Sequence, residues 1–108
     1  MSDPVYALAT PVGRSAVAVV RVSGDPLPEK LIEALSLKKQ ERGVFLRRLD
    51  LGPFSDSCLV LNFPGPGSYT GEHLVEIHTH GSPAIVAELF SFLSSLGLRE
   101  AEGGEFSK

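Results

Sequence analysis

The sequence predicts an α+β domain: a mixed sheet of five or six strands with two or three helices packed on it. Predicted strands outnumber predicted helices by about five or six to two. Two runs, residues 16–22 and 58–61, are almost unbroken stretches of apolar residues, the composition of strands covered on both faces. One segment, residues 82–97, sets apolar side chains at helical spacing between a start and a stop signal. At 108 residues with 43% hydrophobic and 21% charged content, the chain is long and apolar enough for one core and too apolar for intrinsic disorder.

Residues 5–9 read as a first short strand, and 10–15 as a loop with Pro11 and Gly13. Residues 16–22 form the second strand, ending at Ser23-Gly24. Asp25-Pro26 then predicts a helix start, with Asp as N-cap and Pro at the first helical position. Leu27, Leu31, Ile32 and Leu35 would share one helical face. Residues 44–49 are a strand with Arg47 and Arg48 near its end, and 57–63 a strand placed centrally by its apolar run. Residues 64–71 form a Gly- and Pro-rich loop, and 73–80 the next strand. Ser82 and Pro83 open the last helix, whose stripe is Ile85, Val86, Leu89, Phe90, Leu93 and Leu96. Gly97 closes it at C′, and residues 98–102 are a final edge strand.

The formal net charge of −3 argues against a general electrostatic grip on nucleic acid. No window approaches about 18 consecutive apolar residues, so no membrane span is expected. Met1-Ser2-Asp3-Pro4 shows no secretory signal, and the lone Cys58 fits a reducing compartment. The expectation is a cytoplasmic protein. Cys58, inside an apolar run, reads as a small core residue.

Glu76, His78 and His80 alternate along one strand, which puts a carboxylate and two imidazoles on one face about 6–7 Å apart per step. That pattern suits a ligand-binding face or, alternatively, a small metal-dependent enzyme using the three as ligands; a solvated strand face is the plain reading. Arg21 lies within an apolar strand, where a charge is costly unless paired. It either pairs or emerges at the strand's C-terminal end, where open sheets often bind ligands. The loop 65–71 has G-x-G but neither G-x-G-x-x-G nor a following Gly-Lys-Ser/Thr, which excludes the P-loop and Rossmann fingerprints. It is left as a rigid presenter of Ser68, Tyr69 and Thr70 or a plain connection. Lys38, Lys39, Arg42, Arg47 and Arg48 cluster in the chain and either touch RNA phosphates or line a solvated edge. There is no Gly-x-Ser-x-Gly elbow and no Cys-x-x-Cys pair.

Five motifs follow one another in register: Ala9-Thr10-Pro11-Val12-Gly13-Arg14; Val20-Arg21-Val22-Ser23-Gly24; Pro66-Gly67-Ser68-Tyr69-Thr70-Gly71-Glu72; Val75-Glu76-Ile77-His78-Thr79-His80-Gly81-Ser82-Pro83; and Gly104-Glu105-Phe106-Ser107-Lys108. In this the chain resembles the N-terminal domain of tRNA modification GTPases of the MnmE/TrmE type. The resemblance implies a fold like the folate-binding domain of glycine-cleavage aminomethyltransferases. It implies binding of 5-formyltetrahydrofolate or 5,10-methylenetetrahydrofolate as one-carbon donor, homodimerisation, and service to modification at C5 of the wobble uridine. It aligns Glu76 with the family's pterin-anchoring glutamate and Arg21 with a folate-contacting arginine; Tyr69 is inferred to stack on the ligand or close its pocket. GTP, potassium, magnesium, tRNA and an MnmG-type FAD-dependent partner belong to the full-length enzyme. Residues 1–108 are therefore expected to be a single folate-binding and dimerisation domain without GTPase or helical domains, and no GTP hydrolysis is expected of this chain alone. Four departures stand out: Val12, Ser15 and Ala16 in the first motif, Ser82 in the fourth, Gly103 where the family has the proline of Pro-Gly-Glu-Phe, and no counterpart of a folate-contacting lysine in a later Asn-Gly-Lys, which implies a weaker folate site. A ligand-free dimerisation module is the alternative.

Overall fold

A computed structural model describes residues 2–10, 17–38, 41–52, 54–65 and 72–101. The elements in chain order are β1 (Ser2–Leu8), β2 (Val17–Asp25), α1 (Glu29–Ala34), β3 (Gly43–Leu51), β4 (Phe54–Phe63), β5 (His73–His80), α2 (Pro83–Ser95) and β6 (Arg99–Glu100). The strands form one six-stranded sheet in the order β3-β4-β5-β2-β1-β6. Every pairing is antiparallel except β1 with β6, which is parallel. The α+β mixed sheet predicted from sequence is therefore observed, with two helices among the described residues.

Alternation along the strands sorts the side chains onto two faces. Tyr6, Val20, Val22, Leu49, Leu51, Cys58, Val60, Val75 and Ile77 meet Leu27, Leu31, Ile32 and Leu35 of the α1 segment and Leu89 and Leu93 of α2 in a single core. Tyr6 fixes α2 to β1: its hydroxyl shares a 2.7 Å hydrogen bond with the Ser94 hydroxyl, and its ring meets Phe90 edge-on at 4.8 Å. Burial pushes the Cys58 thiol up to about 11, as suits a core residue rather than a thiolate.

Local signals hold for α2 and fail for α1. Ser82 is the N-cap of α2 with Pro83 directly after it, although the Ser82 side chain makes no capping bond. Gly97 at φ +94 follows the helix, a conformation that favours glycine. The helix start predicted at Asp25-Pro26 is corrected: Asp25 ends β2, paired with Ser2, and α1 begins only at Glu29 with Pro28 as N-cap. Strand pairing outcompetes the capping signal. Leu27 is still buried, but ahead of the helix. At the other end of α1, Arg47 donates from Nε to the Leu35 carbonyl at 3.0 Å and from its terminal nitrogen to Ser36 at 3.2 Å, which satisfies carbonyls the helix leaves open.

Two further expectations change. Residues 16–22 were expected to be covered on both faces; in β2, Ala18, Val20 and Val22 are buried, whereas Val19 and Arg21 are only half-buried and Val17 is exposed. The final strand covers Arg99–Glu100, with Leu98 and Ala101 outside it, and residue 102 of the expected 98–102 strand lies outside the described residues. Gly24 is required by close approach, since a Cβ there would sit 2.7 Å from Pro4 Cα.

Candidate functional site

The face of the sheet opposite the helices carries the polar cluster. Cross-strand register builds it in rows. Ala7, Arg21, Glu76, Leu61 and Val44 lie opposite one another across β1, β2, β5, β4 and β3; the next row is Val19, His78, Leu59 and Leu46. Arg21 therefore stands in the middle of β2, not at its C-terminal end, and directly opposite Glu76.

Glu76 is gripped at both oxygens. Arg21 Nε donates to Oε2 at 2.9 Å, and the His78 Nε2 lies 3.0 Å from Oε1. A carboxylate offers only acceptors, so Nε2 of His78 carries the proton in this pair. Burial alone would raise the Glu76 carboxyl; the hydrogen bonds from His78 and Arg21 outweigh it and hold the group below its ordinary value. Glu76 is thus a mostly buried anion with one cation and one imidazole as partners.

His80 belongs to a different grouping. Its Nδ1 lies 2.9 and 2.8 Å from the two oxygens of Asp56, and the Thr79 hydroxyl donates to Asp56 at 3.0 Å. The structure does not bring Glu76, His78 and His80 together around one point, and among the described residues no group of three or more His, Cys, Asp or Glu side chains is placed to hold a metal ion. The three-ligand metal reading is corrected on this geometry: His80 turns to Asp56, and His78 spends its Nε2 on Glu76. Beside them lies an open cleft of about 270 Å³ walled by Val17, Leu46, Leu59, Ser57, His78 and His80.

Sequence reasoning missed Asp56. Nothing local marks it; only the β4–β5 register, which sets Leu59 opposite His78, brings it to His80. It also missed Asn62, a buried side chain that donates to the Lys38 and Glu41 carbonyls and receives the His73 ring at its Oδ1. The basic stretch is absorbed by structure in part: Arg47 lies over the Phe45 ring, Arg42 over Phe63, and Arg48 donates to Ser55. Tyr69, with Ser68 and Thr70, lies outside the described residues, as does Arg14.

Residues 4–108 match the family described as GTP-binding protein TrmE N-terminus. The chain belongs to this family. All of it aligns with the tRNA modification GTPase MnmE of Phenylobacterium zucineum at 49% identity, and with those of Maricaulis maris at 47% and Caulobacter vibrioides at 48%. It spans about a quarter of the length of these curated relatives. Arg21 and Glu76 form an ion pair across β2 and β5 on the face opposite the helices. No helix among the described residues is long and apolar enough to cross a membrane.

Proposed function

We propose that this chain is the folate-binding, self-associating N-terminal domain of a cytoplasmic tRNA modification GTPase. The observation that carries the reading is the Arg21–Glu76 pair on the open face of a TrmE N-terminal family member. A carboxylate has about four acceptor positions, and Arg21 and His78 occupy one on each oxygen. Each oxygen keeps a second position. A pterin edge presents a ring N–H beside an amino group, and a carboxylate with both oxygens available can accept from the two at once. Arg21 engages Glu76 through Nε, which leaves its other N–H groups for a ligand carbonyl or an acidic tail. The residues present therefore fit the pterin head of a tetrahydrofolate.

When bound, 5-formyltetrahydrofolate or 5,10-methylenetetrahydrofolate would supply the one-carbon unit for C5 of the wobble uridine. The chain's own part is to bind and orient that group. GTP with potassium and magnesium, the tRNA and the MnmG-type FAD-dependent partner are assigned to the whole enzyme. The exposed apolar residues Val17, Val44, Leu46 and Leu59 support self-association of the same face, and they alone would also suit a dimerisation module without ligand.

Calorimetric titration with 5-formyltetrahydrofolate separates the two readings. The chain is expected to bind saturably, and Glu76→Gln to cost about 2–3 kcal/mol, roughly 30- to 150-fold in affinity. A folded wild-type dimer that takes up no folate would leave only the dimerisation module.

A further inference from the structure

Glu76 ends in a torsion with broad, nearly two-fold preferences, so one hydrogen bond does not fix the plane of its carboxylate. Arg21 reaches only Oε2 through Nε, at 2.9 Å. His78, two residues further along β5, meets the other oxygen at 3.0 Å. The His78 position is flanked across the sheet by Val19 on β2 and Leu59 on β4, apolar neighbours that offer the ring no competing hydrogen bond. The β4 neighbour of Glu76 is Leu61, and among the described residues the carboxylate's polar partners are Arg21 and His78. His78 also walls the cleft beside Leu46 and Leu59, which makes the anchor and the cleft contiguous at His78.

We propose that His78 is a positioning residue: its Nε2–H on Oε1, opposed by Arg21 on Oε2, fixes the plane in which Glu76 meets a ligand carrying two adjacent N–H groups. The proposal deepens the folate reading and rests on it. His78 does not itself need to touch the ligand. Its N–H is the property that matters, so a side chain delivering an N–H to the same place retains the effect, and a ring of like shape without one loses it.

The test compares wild-type, His78→Phe and His78→Gln by two readouts on the 108-residue chain. The first is the titration of the Glu76 carboxyl, followed through its side-chain ¹³C signal without ligand. The second is calorimetric affinity for 5-formyltetrahydrofolate, with melting temperature as the folding control. In His78→Phe the carboxyl midpoint rises and affinity falls about tenfold, whereas His78→Gln stays close to wild-type in both. Unchanged midpoint and affinity in a folded His78→Phe overturn the positioning role and leave the folate reading standing. A wild-type chain that binds no folate overturns both. His78→Ala replaces the phenylalanine variant, with the same outcomes, should that variant fail to fold.

Discussion

Asp56 accepts from the His80 ring, the Thr79 hydroxyl and the His80 amide. Burial would raise its carboxyl, and these hydrogen bonds outweigh that and hold it below the ordinary value. Glu76 is lowered in the same sense. A carboxylate whose folded pKa lies below its unfolded one stabilises the protein while it is ionised in both states. That stability is complete above the unfolded value of about 4 and is lost as the pH falls through the lower, folded value. Asp56→Asn removes one such contribution, so its melting temperature is expected to fall less than that of wild-type between about pH 6 and about pH 3. Differential scanning fluorimetry across that range checks it; a variant as acid-sensitive as wild-type would contradict the role given to Asp56. At this scale the sequence was partly legible. A period of two places Glu76 and His78 on one face, and the cost of an unpaired charge makes Arg21 conspicuous among valines. Asp56 was not legible, because it finds His80 through a pairing between strands whose sequence carries no label for its partner.

The two helices show why local signals succeed unevenly. In α2 the Ser82-Pro83 start, the apolar stripe and Gly97 agree, and nothing else competes for those residues. Leu89 and Leu93 are fully buried, so Leu89→Ala is expected to cost about 2–5 kcal/mol, read as a lower urea midpoint at an unchanged slope. In α1 the Asp25-Pro26 signal meets the demand of β2 for a ninth residue, and the strand takes Asp25. The apolar spacing was still informative, because Leu27, Leu31, Ile32 and Leu35 all reach the core although only Leu31 and Ile32 lie within the helix itself. The burial pattern of β2 was misread for a related reason. A nearly continuous apolar run, broken only by Arg21, fits a strand covered on both faces, yet here the odd-numbered side adjoins the polar rows. Composition alone does not reveal how many layers a sheet has.

At the scale of the molecule, the described helices pack on one side of the sheet, and the other side combines a polar centre with an apolar margin. Val44 and Leu46 on the edge strand β3 are 62% and 69% exposed. Stable association needs about 800 Å² per partner with a well-packed apolar centre. Leu46→Glu places a charge in that margin at a position the fold does not bury. It is expected to weaken self-association by at least roughly tenfold while the melting temperature of the monomer holds, as followed by sedimentation velocity over a dilution series. A wild-type chain that sediments as a monomer at high micromolar concentration would remove the dimer from the proposed function.

The alternation that splits each strand between two faces also splits what each position answers to. On β2 and β5, Val20, Val22, Val75 and Ile77 belong to the core, while Arg21, Glu76 and His78 stand between them on the opposite side. A change of recognition chemistry at the second set leaves the first untouched. Over a long history of descent such a sheet can exchange one small-molecule preference for another while its core stays intact, provided that Arg21 and Glu76 change together so that neither charge is left unpaired.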